Sequence, residues 1–174
     1  MKRFVVGVTG ASGSLCAGSV IRELVRHPDV GEVHVVLSGF ALRTINAELS
    51  VRARDARAGL RALCGKAVVP GKSLPGKIVL HAPDAMEASI SSGSFPTDGM
   101  VVVPCSGGTL AAIANGTSTN LVQRAGEVTL KEGRPLVLAL RESPLSLVHV
   151  ENMRRALLAG AVLYPLMPAF YAGP

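Results

Sequence analysis

The chain has 174 residues, of which 48% are hydrophobic and 17% charged, and its formal net charge is +6. That length supports one hydrophobic core and is short for two, so we expect a single domain over residues 1–174. The composition excludes a disordered or fibrous chain, and no apolar run approaches the ~20 residues that a membrane-spanning helix needs.

The positive charge raises the question of a nucleic-acid partner. The arginines are dispersed apart from one cluster, Arg52, Arg54, Arg57 and Arg61, whose last three members fall on one helical face typical of a solvated surface. The chain has no Trp, two Tyr and four Phe, which leaves few platforms on which bases could stack. We therefore expect a small anionic ligand and no nucleic acid.

Cysteine usage and the N-terminal segment bear on compartment and metal binding. Cys16, Cys64 and Cys105 form no CxxC pair and are odd in number, which fits a reduced compartment without a disulfide framework or zinc site. Residues 1–7 begin like a signal peptide but run into a glycine-rich turn where the apolar region should continue. These features predict a cytoplasmic protein that holds no metal.

Strand and helix patterns alternate along the chain. Strand patterns cover 4–8, 33–38, 77–82, 100–103, 136–140 and 161–166. Helical patterns cover 14–26, 40–49, 51–64, 110–114, 120–133 and 148–158, with a short helix or turn at 84–90 and a connecting loop at 65–76. The alternation predicts a three-layer α/β/α fold with a mostly parallel, doubly wound sheet, Rossmann-like or flavodoxin-like.

Two strand-to-helix junctions carry glycines and hydroxyls. They are Phe4-Val-Val-Gly-Val-Thr-Gly-Ala-Ser-Gly13 and Met100-Val-Val-Val-Pro-Cys-Ser-Gly-Gly-Thr109. In a parallel sheet both would place backbone N–H groups and hydroxyls at the carboxyl edge, where anions and rings bind. The pair predicts a site for a nucleotide-like cofactor.

The first junction departs from the dinucleotide-binding pattern G-x-G-x-x-G, because Thr9 widens the spacing between Gly7 and Gly10. No acidic residue follows the second strand, where Ser38 and Gly39 stand in place of a ribose clamp. Plain NAD binding is therefore disfavoured. A monophosphate or flavin site stays open, and so does a purely structural turn.

Two short loops are rich in hydroxyls, Ser91-Ser-Gly-Ser94 and Ser106-Gly-Gly-Thr109. Each by itself is typical of a turn. Their interest comes from the predicted fold, which would place loops after successive strands along the same edge of the sheet.

Arg124 and Lys131 form a candidate phosphate site. They are seven residues apart, two helical turns, so both side chains can point the same way. Such a pair suits phosphate, with bidentate bonds from Arg and a point charge from Lys. A solvated basic helix face is the alternative interpretation.

The remaining reactive side chains are carboxylates, histidines and a cysteine. Glu48 and Glu142 lie near strand-end loops and suit proton transfer if partly buried, although plain surface carboxylates are the alternative. His34 and His81 sit inside strand patterns and are interpreted as hydrogen-bonded structural residues. Cys105 has no histidine within its motif to activate it, so we interpret it as a packing or ligand-contacting residue.

The combined motifs closely resemble the flavin prenyltransferases of the UbiX type, formerly described as aromatic-acid decarboxylases. The matching segments are Val8-Thr-Gly-Ala-Ser-Gly13, Ser91-Ser-Gly-Ser94, 104–125, 130–132, Arg141-Glu-Ser-Pro-Leu-Ser146, His149-Val-Glu-Asn-Met153 and Met167-Pro-Ala-Phe-Tyr171. The resemblance spans nearly the whole chain, and several separate motifs in the right order make it specific.

This resemblance implies a flavodoxin-like or Rossmann-like subunit that forms trimers and often dodecamers, with FMN bound at a subunit interface. The reaction of the family joins a dimethylallyl group from dimethylallyl phosphate to N5 and C6 of reduced FMN, without a metal. The product, prenylated FMN, serves a partner decarboxylase of the UbiD type.

The resemblance also implies roles for individual residues. Ser12 is similar to the serine beside flavin N5, Glu142 to the carboxylate that shuttles protons with it, and Glu48 to a second acid facing the prenyl site. The positions similar to FMN contacts are Gly10, Ala11, Ser12, Ser38, Ser91, Ser94, Ser106, Thr109 and Arg141. The prenyl phosphate would be held by Arg124, Lys131 and Tyr171.

Two departures from the family pattern are visible. Gly39 stands where many relatives carry a lysine after the second-strand serine, and the sequence given ends at Pro174, where the family usually continues with a helix that supplies another phosphate-binding arginine.

Two alternative functions stay open. One is an FMN-dependent decarboxylase acting on an aromatic acid, a cysteine peptide or phosphopantothenoylcysteine. The cysteine-type enzymes usually have Pro-Ala-Ser-Ala-Asn-Thr where this chain has Pro-Cys-Ser-Gly-Gly-Thr. The other is a non-catalytic subunit that stores or delivers flavin.

Overall fold

The structure, a computed structural model, describes residues 1–66, 68–69 and 76–167. Part of the predicted loop at 65–76 and the predicted phosphate-binding Tyr171 therefore lie outside the described residues. The described strands are β1 (Lys2–Val8), β2 (Val30–Leu37), β3 (Ile78–His81), β4 (Gly99–Cys105), β5 (Leu136–Leu140) and β6 (Val162–Pro165). The described helices are α1 (Ser14–Arg26), α2 (Ala41–Leu49), α3 (Ala56–Cys64), α4 (Gly107–Asn115), α5 (Leu121–Lys131) and α6 (Leu147–Leu158), with a 3₁₀ turn at Ser89–Ser91.

In this part of the chain the six strands form one parallel sheet in the order β3-β2-β1-β4-β5-β6. The chain winds outward from β1 to β3, crosses back to β4 on the other side of β1, and winds outward again to β6. The predicted doubly wound α/β/α architecture is confirmed. In such sheets ligands bind at the carboxyl edge where the winding reverses, which here lies between β1 and β4.

Both faces of the sheet are covered, so its strands are continuous apolar runs rather than alternating ones. Val6 and Val8 of β1 belong to the core under α1, α2 and α3, while Val5 belongs to the core under α4, α5 and α6. None of the helices in the described residues is long and apolar enough to cross a membrane.

The predicted start of α3 and the predicted end of β4 are both wrong, and the structure gives the reason for each. The helix predicted from residue 51 begins at Ala56, because the Asn46 side chain pairs with the backbone N–H and C=O of Ala53 at 2.8 and 2.9 Å. Asp55 then caps the helix by accepting a 2.8 Å bond from the N–H of Ala58. Arg54 consequently lies before the helix and does not share its face with Arg57 and Arg61.

Strand β4 also continues further than predicted. The expected end was Pro104, but β4 extends to Cys105, and its pairing with β5 is irregular between Val102 and Cys105. Pro104 has no N–H to donate to the ladder. Its carbonyl still accepts from the N–H of Thr9, the residue after β1, at 3.3 Å. The strand therefore reaches the turn that begins α4.

The two strand histidines are hydrogen-bonded structural residues, as predicted. Nδ1 of His34 lies 2.9 Å from Nε2 of His81, and Nε2 of His34 lies 3.1 Å from the Glu32 carboxylate, which also accepts from Arg3 at 2.5 Å. Burial lowers the pKa of His34, and the hydrogen bond from Arg3 lowers the pKa of Glu32 to about 2. This network ties β1, β2 and β3 together below the sheet edge that carries the cavity.

The close contact between α1 and α3 predicts the effect of Gly18→Ala. A Cβ at Gly18 would clash with the carbonyl oxygen of Leu63 and lie 2.9 Å from its carbonyl carbon, so α1 and α3 would have to separate. We expect the free energy of unfolding to fall by about 1–3 kcal/mol, as for other overpacked sites. The matched control is Gly108→Ala in α4, where nothing lies within 4 Å of the new Cβ. Denaturant titration should show no loss there, and equal losses in both variants would contradict the packing argument.

Candidate active site

A cavity of about 850 Å³ opens at the carboxyl edge of the sheet, where the winding reverses. It is lined by the segments that follow β1, β2, β4 and β5, together with the start of α5. Of the three predicted catalytic residues, Ser12 and Glu142 line it and Glu48 does not. The predicted cofactor contacts on its wall are Gly10, Ala11, Ser12, Ser38, Ser106, Thr109 and Arg141.

The buried hydroxyl of Thr9 joins the two glycine-containing turns. Its Oγ1 donates to the carbonyl oxygen of Pro104 at 2.8 Å and accepts from the backbone N–H of Ser106 at 3.0 Å. Ser106 in turn caps α4, since its Oγ accepts from the N–H of Thr109 at 3.3 Å. The hydroxyls at the start of α4 therefore have a fixed position relative to the β1 turn.

The wall on the other side comes from β2 and α2. The N–H of Ser38 donates to Val8 at 2.8 Å, which holds the end of β2 beside β1. Thr44 Oγ1 donates to the carbonyl of Gly10 at 2.8 Å, and a Cβ on Gly10 would lie 2.6 Å from Cβ of Phe40. Only glycine permits this close approach of α2 to the β1 turn.

Glu48 lies at the start of α1, beside the turn that carries Ser12, and is not among the residues that line the cavity. Its carboxylate accepts bonds of 2.8 Å from the backbone N–H groups of Gly13 and Ser14, and one of 2.5 Å from the Ser14 hydroxyl. Burial raises the pKa of Glu48, but the hydrogen bonds from Ser14, Gly13 and Ser12 outweigh it, so the pKa is lowered overall. The side chain is an ionised cap of α1.

Glu142 lies on the opposite wall, after β5. Its carboxylate oxygen Oε2 and the ring of His149 face the same glycine, since they lie 2.8 and 3.1 Å from the point that a Cβ on Gly107 would occupy. The backbone N–H of Arg141 donates to Cys105 at 2.9 Å, which fixes this loop against the end of β4. Glu142 is therefore held at the cavity wall by close packing at the start of α4.

Four predicted site residues are absent from the cavity wall and form a second cluster: Ser91, Ser94, Arg124 and Lys131. Nε of Arg124 donates to the carbonyl of Ser91 at 3.3 Å, and its Nη1 pairs with Glu127 at 3.1 Å. Lys131 pairs with Glu132, and its Nζ lies 2.7 Å from the point that a Cβ on Gly93 would occupy. The two cations thus lie against the same hydroxyl-rich loop, which we call the 91–97 loop.

Two further arginines hold the 91–97 loop. Arg134 donates to the carbonyls of Gly93 and Phe95 at 2.7 and 2.9 Å. Arg3 donates to the carbonyl of Pro96 at 2.9 Å, and its guanidinium lies 4.4 Å from the centre of the Phe95 ring. These contacts fix the loop to β1 and to the segment that follows α5.

Sequence reasoning missed several residues at the site. Thr9 was noted only as a spacer between glycines, yet its hydroxyl is the link between the turns. Arg43 of α2 lines the cavity near the position where Gly39 replaces a lysine, and Gln123 lines it from α5. Arg43 could have been predicted from the sequence, because it lies in the first turn of a helix that follows the end of a strand.

Cys105 is a packing residue. Its side chain is fully buried, and burial raises the pKa of its thiol to about 12, so the thiolate is not accessible near neutral pH. Of the two interpretations that the sequence left open, the structure supports packing.

Comparison with known proteins agrees with this geometry. The sequence matches the Flavoprotein family over residues 1–167. A flavin prenyltransferase UbiX from Chlamydia muridarum is 40% identical over 175 residues, which cover 100% of this chain and 83% of the relative.

Two solved structures share both fold and sequence. One is the crystal structure of AnUbiX (PadA1) in complex with FMN and dimethylallyl pyrophosphate. Its sequence is 40% identical to this chain, the TM-score is 0.79, and the superposition covers 98% of this chain and 80% of that one. The other is a dodecameric FMN-dependent UbiX-like decarboxylase from Escherichia coli O157:H7. Its sequence is 43% identical, the TM-score is 0.81, and the superposition covers 99% of this chain and 84% of that one.

The match over residues 1–167 shows that this chain belongs to the Flavoprotein family, and the doubly wound parallel sheet with a cavity at its switch point agrees with that assignment. Within it, the chain belongs to the flavin prenyltransferases of the UbiX type.

The capping geometry of Glu48 predicts the effect of Glu48→Gln. The variant loses the negative charge at the start of α1, which we expect to lower the free energy of unfolding by about 1 kcal/mol or less at neutral pH. Because the folded-state pKa is lowered, this stabilisation is fully present above the ordinary value of 4.5 and is lost as the pH falls below it. Guanidinium titrations at pH 7 and pH 4 test this, and a difference independent of pH would contradict it.

Proposed function

We propose that this protein is a flavin prenyltransferase that joins the dimethylallyl group of dimethylallyl phosphate to N5 and C6 of reduced FMN. The observation that carries the proposal is the cavity itself, because Ser12 and Glu142 line it together with the hydroxyls that suit a flavin mononucleotide. A relative 40% identical to this chain is described in complex with FMN and dimethylallyl pyrophosphate, which supports the same ligands here.

The residues present fit FMN. A volume of about 850 Å³ lies within the range of cofactor sites. Ser38, Ser106 and Thr109 offer hydroxyls for the polar chain and phosphate of the cofactor, and Arg43 and Arg141 offer positive charge. Gly108 leaves open space at the start of α4, since nothing lies within 4 Å of its absent Cβ.

Reduced FMN supplies an electron-rich ring whose N5 and C6 form the new bonds to the allyl group. On the protein side, Ser12 would hold N5 of bound FMN, and Glu142 would accept the proton released at C6. Glu48 acts behind Ser12, since its ionised carboxylate fixes the turn that carries this serine.

The leaving phosphate needs cations, because it departs with the electron pair of the broken C–O bond. Arg124 and Lys131 suit this role, and Tyr171 is proposed beside them. In the single chain they lie with the 91–97 loop, away from the cavity wall. We therefore propose that each complete site combines the cavity of one subunit with the 91–97 loop cluster of a neighbouring copy.

Exposed apolar surface supports such an assembly. Leu147 and Leu158 of α6 are 76% and 74% exposed, and Tyr164 of the edge strand β6 is 59% exposed. Apolar side chains grouped on one helix and the adjacent sheet edge are typical of protein–protein contacts. The UbiX-like relative from Escherichia coli O157:H7 is described as a dodecamer, which supports an oligomer here, and we propose a trimer or a dodecamer. A cytoplasmic location and delivery of the product to a UbiD-type decarboxylase remain proposals.

An FMN-dependent decarboxylase is the second candidate, since the same relative is described as one. Among the described lining residues of the cavity there is no histidine, which the cysteine-type enzymes use. Incubation of the reduced FMN complex with dimethylallyl phosphate separates the candidates. A transferase changes the flavin spectrum and releases a heavier cofactor in the mass spectrum, whereas a decarboxylase or a flavin carrier releases unmodified FMN.

Mixed oligomers test the divided site. Glu142→Gln and Lys131→Ala should each abolish transfer while FMN stays bound, because one removes the proton acceptor and the other a phosphate cation. When the two variants are co-assembled in equal amounts, roughly a quarter of the sites combine two intact halves and should recover activity. Mass spectrometry of the released cofactor measures that recovery.

The matched control mixes Lys131→Ala with Arg124→Ala. Both changes lie in the 91–97 loop cluster. Every subunit in that mixture therefore has a damaged cluster, and no site is complete. Recovery in the control, or none in the Glu142→Gln mixture, would overturn the divided site.

A further inference from the structure

Phe95 of the 91–97 loop is held by two side chains of the sheet. The guanidinium of Arg3 in β1 lies 4.4 Å from the centre of the Phe95 ring. The His34 ring in β2 is nearly perpendicular to the Phe95 ring, at 75°, with the ring centres 5.2 Å apart. Arg3 also donates to the carbonyl oxygen of Pro96 at 2.9 Å. The loop is thus attached to two strands through one aromatic ring and one carbonyl.

Glu32 joins the two side chains that hold Phe95. It pairs with Arg3 in the register of β1 and β2, and its Oε2 accepts from Nε of Arg3 at 2.5 Å and lies 3.1 Å from Nε2 of His34. The four side chains form a closed ring of contacts, which we call the Phe95 clamp: Arg3, Glu32, His34 and Phe95. In such a ring each contact limits the positions open to the next side chain, so the loss of one weakens the others.

His81 of β3 determines which nitrogen of His34 carries the proton. The hydrogen bond from Arg3 lowers the pKa of Glu32 to about 2, so this carboxylate is ionised at neutral pH and can only accept. Nε2 of His34 must therefore be protonated. Burial lowers the pKa of both histidines, which favours neutral rings. Nδ1 of His34 then accepts, and Nε2 of His81, 2.9 Å away, donates.

The loop that the Phe95 clamp holds carries residues of the proposed site. Ser91 and Ser94 are predicted FMN contacts, and the carbonyl oxygen of Ser91 accepts from Nε of Arg124, a predicted phosphate ligand, at 3.3 Å. Arg134, in the segment after α5, donates to the carbonyl oxygen of Phe95 at 2.9 Å. A displacement of Phe95 would therefore move the backbone that orients Arg124.

We propose that the Phe95 clamp positions the 91–97 loop for binding of the prenyl phosphate, with Arg3, Glu32 and His34 as the positioning residues. None of the three is among the described residues that line the cavity, so they act through Phe95 and the loop backbone. The inference rests on the proposed prenyl transfer for its effect on turnover, whereas the hold on the loop rests on the observed contacts.

Hydrogen exchange tests the hold on the loop without turnover. Phe95→Leu removes both ring contacts of the clamp, and Glu32→Gln replaces the ionised acceptor of Arg3 by a neutral amide. In the FMN-bound protein we expect the amides of the 91–97 loop to exchange roughly fivefold faster or more in both variants, relative to the amides of α1 in the same sample. Unchanged exchange of the loop in either variant would overturn the proposal.

Two control variants separate the clamp from general effects of substitution. Phe95→Tyr keeps the aromatic ring, so its loop should exchange at the wild-type rate. Glu23→Gln removes the same charge from an exposed pair, in which Glu23 lies 3.1 Å from Arg26 on α1. That variant should also leave the loop unchanged. Faster exchange of the loop in Glu23→Gln would overturn the assignment of the effect to the clamp.

Turnover separates positioning from catalysis. With FMN saturating, Phe95→Leu and Glu32→Gln should raise KM for dimethylallyl phosphate roughly fivefold or more while kcat changes less, because a loosened loop weakens phosphate binding in the ground state and the transition state alike. Phe95→Tyr should keep the wild-type KM. Faster exchange of the loop with an unchanged KM would overturn the link to phosphate binding.

The histidine protons give a spectroscopic readout. In ¹⁵N spectra of the histidine-labelled, FMN-bound protein, His34 and His81 should each show a protonated Nε2 and an unprotonated Nδ1, with the signals assigned by their loss in His34→Gln and His81→Gln. The Nε2 signal of His34 should shift in Glu32→Gln. An unprotonated Nε2 on His34, or no shift, would overturn the clamp. A wild-type protein that transfers no prenyl group would refute the proposed function, while exchange and spectra still decide the hold on the loop.

Discussion

The active site depends on one buried hydroxyl. Thr9 donates to the carbonyl of Pro104 and accepts from the N–H of Ser106, so the end of β1 and the turn after β4 form one rigid unit. Winding of the chain in opposite directions leaves a crevice between these two strands. The backbone N–H of Thr9 also donates to the carbonyl of Pro104 at 3.3 Å, so the main chain and side chain of one residue together fix the glycine turns on either side of the crevice.

Two glycines let larger side chains pack closely at the cavity. Glycine at position 10 admits Phe40, whose Cβ lies 2.6 Å from the place of the absent Cβ, and glycine at position 107 leaves room for Glu142 and His149. The result is a wall of hydroxyls and N–H groups with few charges, which are Arg43, Arg141 and Glu142. A largely neutral wall suits a flavin ring, and the carboxylate is directed to one place on it.

The predicted phosphate-binding residues Arg124 and Lys131 are not among the residues that line this wall. Arg124 pairs with Glu127 on α5, and Lys131 pairs with Glu132 at the end of that helix. Both cations lie against the 91–97 loop, whose carbonyls accept bonds from Arg134 and Arg3. If each complete site combines two subunits, as we propose, the oligomer takes part in the chemistry.

The sequence by itself determined the order of strands and helices, the two glycine turns at the sheet edge and the family, because apolar periodicity and turn residues are local signals. It also identified Ser12 and Glu142, which line one cavity, whereas it missed Asp55 as a helix cap and gave Thr9 no bonding role. Only the tertiary structure decided that Ser91 and Lys131 are not among the residues lining that cavity and that Glu142 packs against Gly107. These are contacts between elements far apart in the chain, and their geometry follows from how helices pack on the sheet, which no local pattern encodes.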